Sequence, residues 1–150
     1  MLFFKTNIKA FLLLCLTFFL FNSCNKERYQ FPYIPINLNI SLSMLDSQIG
    51  PGEHAYLYDD EGVNGLIIAR NFDDQYFVYD RTCTYEQDYS CSVDNDTTSI
   101  FHLSCPCCES QYFLDPSDDL GEAYVTRGPT RYSLKKYSSF KNGGFLTVVN

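Results

Sequence analysis

Residues 102–112 read His102-Leu103-Ser104-Cys105-Pro106-Cys107-Cys108-Glu109-Ser110-Gln111-Tyr112, three cysteines in four positions between two strand-like segments. Cys83 and Cys91 stand upstream, so five cysteines fall within 26 residues of a 150-residue chain. Clustering this tight argues that they meet in space. Cys105-Pro106-Cys107-Cys108 contains a C-x-x-C, a spacing that brackets a metal ion on a tight turn. In an exported chain the same cysteines read as disulfides, because that compartment is oxidising and leaves thiols unprotected.

Outward from this cluster the pattern is that of strands. Ile36, Leu38, Ile40, Leu42 and Met44 alternate with Asn37, Asn39, Ser41 and Ser43, which predicts one strand over 36–44. Further strands are expected at His54–Tyr58, Gly65–Arg70, Gln75–Asp80, Ser99–Leu103, Gln111–Leu114, Ala123–Thr126, Arg131–Tyr137 and Phe145–Val149. Turn residues separate them, among them Gly50-Pro51-Gly52, Asp94–Asp96, Gly128-Pro129 and Asn142-Gly143-Gly144. No stretch of ten residues has helical spacing of apolar positions. The expected fold is all-β, a small antiparallel barrel or sandwich with the cysteines on two loops.

Composition sets outer limits. Aromatic residues make up 17 %, which excludes disorder, and a formal charge of −7 excludes a phosphate-binding surface for nucleic acid. Lys5 and Lys9 precede an apolar run from Ala10 to Phe21, too short for a membrane span and suited to a signal peptide over residues 1–23. Asn22-Ser23-Cys24 at its end resembles the lipobox of bacterial lipoproteins, which implies acylation of Cys24. Residues 24–35 then form a tether with Pro32 and Pro35, and residues 36–150 form the β domain. Without the leader, 9 basic side chains face 18 acidic ones, so the membrane partner is reached through acyl chains rather than a basic face. Asn25 after the lipidated Cys points to the outer membrane of a Gram-negative cell, facing the periplasm or the outside.

Asp80-Arg81-Thr82-Cys83-Thr84-Tyr85 and Cys105-Pro106-Cys107-Cys108-Glu109-Ser110-Gln111-Tyr112 together resemble the two cluster loops of Rieske iron-sulfur proteins. The family's first loop reads C-T-H with another Cys close behind, and its second reads C-P-C-H-G-S with an aromatic residue two places on. Gly128-Pro129 and the closing Ser133–Tyr137 are similar to its covering loop and last strands. The resemblance spans residues 63–150, and the Pro-rich start is similar to Bacteroidetes Rieske-like lipoproteins. It implies a 2Fe-2S cluster and electron transfer, with Cys83 and Cys105 at the two Cys positions. Tyr85 and Cys108 stand where the family has its two His ligands. Ser110 and Tyr112 match the hydroxyls that bond the cluster and its sulfur, and Cys91 and Cys107 match the pair that ties the loops by a disulfide.

Three states of the site follow. Cys83, Cys105, Cys108 and either Cys91 or Tyr85 hold a 2Fe-2S cluster, whose anionic ligands would lower its potential. Alternatively, Cys83, Cys91, Cys105 and Cys108 hold zinc. In the third state no metal binds: Cys91 pairs with Cys107, and Cys83 pairs with Cys105 or Cys108. The first makes the protein an electron carrier, and the last makes it a disulfide-stabilised binding or structural module. His102, three residues before Cys105, reads as an ordinary strand residue. Asp59-Asp60-Glu61, Asp73-Asp74, Asp115 and Asp118-Asp119 lack calcium-loop spacing and read as solvated turns. No phosphate loop, H-E-x-x-H or G-x-S-x-G is present, so a self-contained enzyme is not expected and the redox or protein partner stays open.

Overall fold

A computed structural model describes residues 30–85, 89–97 and 99–150. The leader, Cys24 and the first part of the tether lie outside the described residues. Among the described residues, ten strands form two antiparallel sheets, with one short helix beside the larger. In chain order the elements are β1 (Asn37–Ser41), α1 (Leu42–Gln48), β2 (His54–Leu57), β3 (Leu66–Arg70), β4 (Tyr76–Asp80), β5 (Asp94–Asn95), β6 (His102–Ser104), β7 (Gln111–Leu114), β8 (Ala123–Arg127), β9 (Lys136–Asn142) and β10 (Phe145–Val149). The larger sheet runs β1-β10-β9-β4-β3-β2, and the smaller runs β5-β6-β7-β8. The all-β antiparallel expectation holds, with the cysteines on two loops at one end of the smaller sheet.

Strand β3 shows how the layers are built. Leu66, Ile67 and Ile68 are all fully buried, a run covered on both faces. Leu66 and Ile68 point into a core with Ile40, Leu45, Ile49, Val78, Tyr137, Leu146 and Val148. Ile67 points the other way, into a second core with Tyr79, Val93, Leu103, Tyr112, Leu114 and the cysteines Cys83, Cys91 and Cys105. A side-chain period of two thus divides one strand between two cores.

Three expected strands are displaced. The alternation at 36–44 continues past Ser41 in sequence but not in space: β1 ends at Ser41, opposite Phe145 at the start of β10, and Leu42 begins α1. Leu45 and Ile49, four apart, are both fully buried, and Tyr76 Oη donates to Asp46 Oδ1 at 2.7 Å. Helical spacing reaches the core where further alternation would find no residue of β10 to pair with. The second displacement lies near the cysteines, where Ser99 closes a turn by accepting the His102 N–H on its carbonyl, so the strand there is His102–Ser104. In the third, residues 131–135 form a loop and the strand begins at Lys136.

Candidate metal centre

Two loops carry the cysteines, and a third, between β8 and β9, meets both through Thr130 and Tyr132. The first, residues 81–93, leaves β4 and is closed by the Thr82–Ser92 bridge, with the Cys83 N–H donating to the Cys91 carbonyl at 2.8 Å. Its stem rests on buried Asp80, whose carboxylate accepts the Val63 N–H (2.8 Å), the Thr82 N–H (2.9 Å) and the hydroxyls of Thr82 and Tyr137. Gly62 makes room for that carboxylate: its φ is +70°, and a Cβ there would clash with Asp80 Oδ2. The second loop, residues 105–110, is a tight turn in which the Cys105 N–H donates to the Ser110 carbonyl and the Glu109 N–H to the Cys105 carbonyl, both 2.9 Å. Glu109 takes φ +59°, the left-handed region that favours glycine.

Cys91 and Cys107 form the disulfide that joins the two loops. Their sulfurs are therefore engaged, and the thiols that remain free near them are Cys83, Cys105 and Cys108. This differs from the arrangements, open on the sequence alone, that gave Cys91 to a metal or paired Cys83 with another cysteine. The reason is spatial, since Cys107 projects from the turn toward Cys91. The three free sulfurs all lie within 4.8 Å of one another, and Cys83 Sγ is 3.5 Å from Cys108 Sγ. Such a group could hold a metal ion.

Hydroxyls surround the sulfurs. Ser110 Oγ, fully buried, accepts the Thr130 N–H at 3.0 Å and the Cys108 thiol at 3.1 Å, and its own proton can turn to a thiolate once Cys108 is deprotonated. Burial alone would raise the Cys108 pKa, but the Ser110 hydroxyl and N–H, with the Cys105 and Cys83 thiols, outweigh it and lower the value. Cys105 differs: burial, with the Cys83 contact, pushes its thiol up to about 12. Tyr112 Oη lies 3.7 Å from Cys83 Sγ and accepts the Thr84 N–H at 3.2 Å, and burial pushes its pKa up. Thr84 Oγ1 also meets Tyr112 Oη and Thr130 Oγ1, each at 2.9 Å, and donates to the Tyr132 carbonyl at 2.6 Å.

Ser110 and Tyr112 therefore touch the sulfurs, while Tyr85 is exposed at 49 %. Thr84 and Thr130 were missed as members of this network. Thr84 follows Cys83 directly and Thr130 follows Pro129, but threonine after such residues carries no signal by itself. Neither histidine joins a group of metal-ligating side chains among the described residues. His54 Nε2 meets Asn95 Oδ1 at 2.6 Å, and the His102 ring packs 4.9 Å from that of Phe113. A Rieske centre takes two thiolates on one iron and two imidazoles on the other, and that donor set does not fit here.

No family model matches the chain, and no curated protein matches it. Among solved structures it is similar to a ferredoxin of Sphingomonas yanoikuyae B1, with a TM-score of 0.50 at 16 % identity. The match covers 77 % of this chain and 99 % of the ferredoxin. Likeness at that identity speaks for the fold, and it agrees with the two antiparallel sheets and paired cysteine loops: the chain has a Rieske-like fold.

Proposed function

We propose that this protein is an exported, lipid-anchored Rieske-like domain whose loops hold one thiolate-ligated metal ion where that family holds its two-iron cluster. The observation that carries the reading is the convergence of the free Cys83, Cys105 and Cys108 thiols within 4.8 Å. An ion about 2.3 Å from each thiolate in a tetrahedron sets the sulfurs about 3.8 Å apart. The Cys83–Cys108 separation of 3.5 Å suits that geometry. It does not suit two ligand pairs held apart by bridging sulfides, and this separates Cys108 from the role of the family's second histidine. Three soft thiolates select zinc, copper(I) or iron, and a redox-active ion would keep electron transfer as the function.

The anchor follows from the leader, with acylation at Cys24 and placement at the outer membrane. Gln30 is the first described residue and lies six positions after Cys24, a length that spans at most about 20 Å. Its carbonyl accepts the Tyr89 hydroxyl at 2.8 Å, and the Phe31 ring meets that of Tyr89. An acylated Cys24 would thus hold the first cysteine loop close to the bilayer.

The second reading is a metal-free binding or structural module. The Cys91–Cys107 disulfide favours it, since that bond ties both loops without any ion. Metal analysis and visible absorption of protein purified anaerobically and in air, with thiols counted after denaturation, separate the two. About one ion per chain supports the thiolate centre. About two irons with charge-transfer bands would replace it with a cluster. Three free thiols and no metal in either preparation would leave the module.

A further inference from the structure

The cysteine loops share one end of the domain with the start and the finish of the described chain. The Asp80 N–H at the end of β4 donates to the Lys135 carbonyl just before β9. Asn150, one residue past β10, donates its side-chain N–H to the Ile34 carbonyl at 2.7 Å. Asn64 Nδ2 donates to the Tyr89 carbonyl at 2.6 Å and to Thr82 Oγ1 at 3.0 Å, which ties the Gln30–Tyr89 contact to the stem of the first cysteine loop.

Three aromatic side chains at this end face solvent: Tyr33 is 74 % exposed, Tyr85 49 % and Tyr132 42 %. Tyr85 and Tyr132 are brought together because Thr84 Oγ1 donates to the Tyr132 carbonyl. Tyr33 lies between Phe31, whose ring meets that of Tyr89, and the Ile34 carbonyl held by Asn150. The far end is different. There the turn at 71–75 and the loop at 115–122 meet, with the Phe72 N–H on the Pro116 carbonyl at 2.9 Å. Those two segments carry Asp73, Asp74, Asp115, Asp118, Asp119 and Glu122 and no Lys or Arg, whereas the cysteine end carries both signs, Arg127 and Arg131 among them.

We propose that the cysteine end of the domain lies on the lipid bilayer, with Tyr33, Tyr85 and Tyr132 in the headgroup layer. The inference rests on the acylation of Cys24 and goes beyond it, because a tether alone leaves the domain free to turn. Tyrosine suits the headgroup layer, since its ring is apolar while its hydroxyl stays hydrated. Six positions of tether, at most about 20 Å, bring this end to the surface. Its charges keep it out of the hydrocarbon, so contact stops at the headgroups. The acyl chains supply the affinity and the tyrosines the orientation. The half-buried Cys108 lies on this end, so a partner that reaches the thiol centre does so at the membrane surface.

The chain has no tryptophan, which makes an introduced one a clean reporter. The test uses the full acylated chain in vesicles of phosphatidylethanolamine and phosphatidylglycerol, with and without bromine on the acyl chains near the headgroups. We expect the tryptophan of Tyr132→Trp, and independently that of Tyr33→Trp, to shift to the blue and to lose emission to the brominated lipid. The tryptophan of Phe72→Trp, at the far end, should do neither. A flexible Gly-Ser insert between Asn25 and Lys26 should leave the quenching in place. Loss of quenching on that insertion would show that the tether alone sets the position, and it overturns the docking. Equal emission with both lipids for Tyr132→Trp and Tyr33→Trp, in a chain whose mass shows acylated Cys24, overturns it as well and leaves the anchor standing. A mass without acyl chains removes the anchor reading itself, and the orientation with it.

Discussion

The two cores of this domain share a sheet and differ in kind. The core on the helix side is built from Ile36, Ile40, Leu45, Ile49, Leu66, Ile68, Val78, Leu146 and Val148, closed by Tyr76 and Tyr137. The core under the cysteine loops keeps Ile67, Val93, Leu103, Leu114 and Leu134, but it also encloses three cysteines and Tyr112. Around it lie buried Thr84, Ser110 and Thr130, each hydrogen-bonded. The first core is held by apolar burial and shape. The second is held by covalent and directional bonds, which fix positions at a lower gain in burial per side chain. A fold whose chemistry lies in one layer can leave the other to stability.

Deleting packing in the first core should have the largest effect. Ile68→Ala removes a fully buried side chain from β3, an interior strand of the larger sheet, and should cost about 3–4 kcal/mol in denaturant unfolding, with the count of free thiols unchanged. Next is the double variant Cys91→Ser, Cys107→Ser, which opens a closure of sequence separation 16 and should cost about 3 kcal/mol. A loss well below 1 kcal/mol would mean that the hydrogen bonds of the second core hold the loops without the disulfide.

Tyr112→Phe comes third. It takes the hydroxyl from the Thr84 N–H, Thr84 Oγ1 and Cys83 Sγ and leaves a buried donor unpaired, for a loss of about 1–2 kcal/mol by the same unfolding measurement. Glu109→Gly should stabilise, by about 1 kcal/mol, because glycine adopts φ +59° without the Cβ penalty. An unchanged midpoint would show that the exposed ion pair with Arg127, 3.8 Å away, offsets the strain.

The smallest expected effect is a dependence on pH at Asp118. The N–H groups of Glu122 and Leu120 and the Tyr124 hydroxyl hold its carboxyl below the usual carboxylate value. A lowered pKa means stability that is present above the unfolded value and lost as pH falls through the folded one. The acid limb of the stability profile should therefore be shallower in Asp118→Asn, and an identical limb would show that the turn carries none of that dependence.

How much of this was legible in the sequence varies with distance along the chain. Strands β2, β3, β4, β7, β8 and β10 lie where alternation and turn residues put them, within two residues at each end. The continuation of the alternation through Met44 misled, since pattern alone cannot see that β10 begins opposite Ser41. The loop at 131–135 misled for a related reason: its β-rich sequence instead supplies the Tyr132 carbonyl to Thr84. In the site, the resemblance located Ser110 and Tyr112, whose hydroxyls do meet the sulfurs, and matched Cys91 with Cys107. It matched Thr84 as the middle residue of C-T-H but gave neither Thr84 nor Thr130 a role, and the two meet across 46 positions.

By itself the sequence determined that strands dominate, that two loops carry five cysteines, and that neither loop offers a histidine. Those properties are local, set by side-chain period, turn residues and residue identity. Only the tertiary structure decided which sulfurs are joined and which stand free, because those distances depend on where two sheets place three separate loops. The same packing put Cys105 between a disulfide and a pair of thiols, within 3.6 Å of one and 4.8 Å of the other, a choice of neighbours that no spacing along the chain contains.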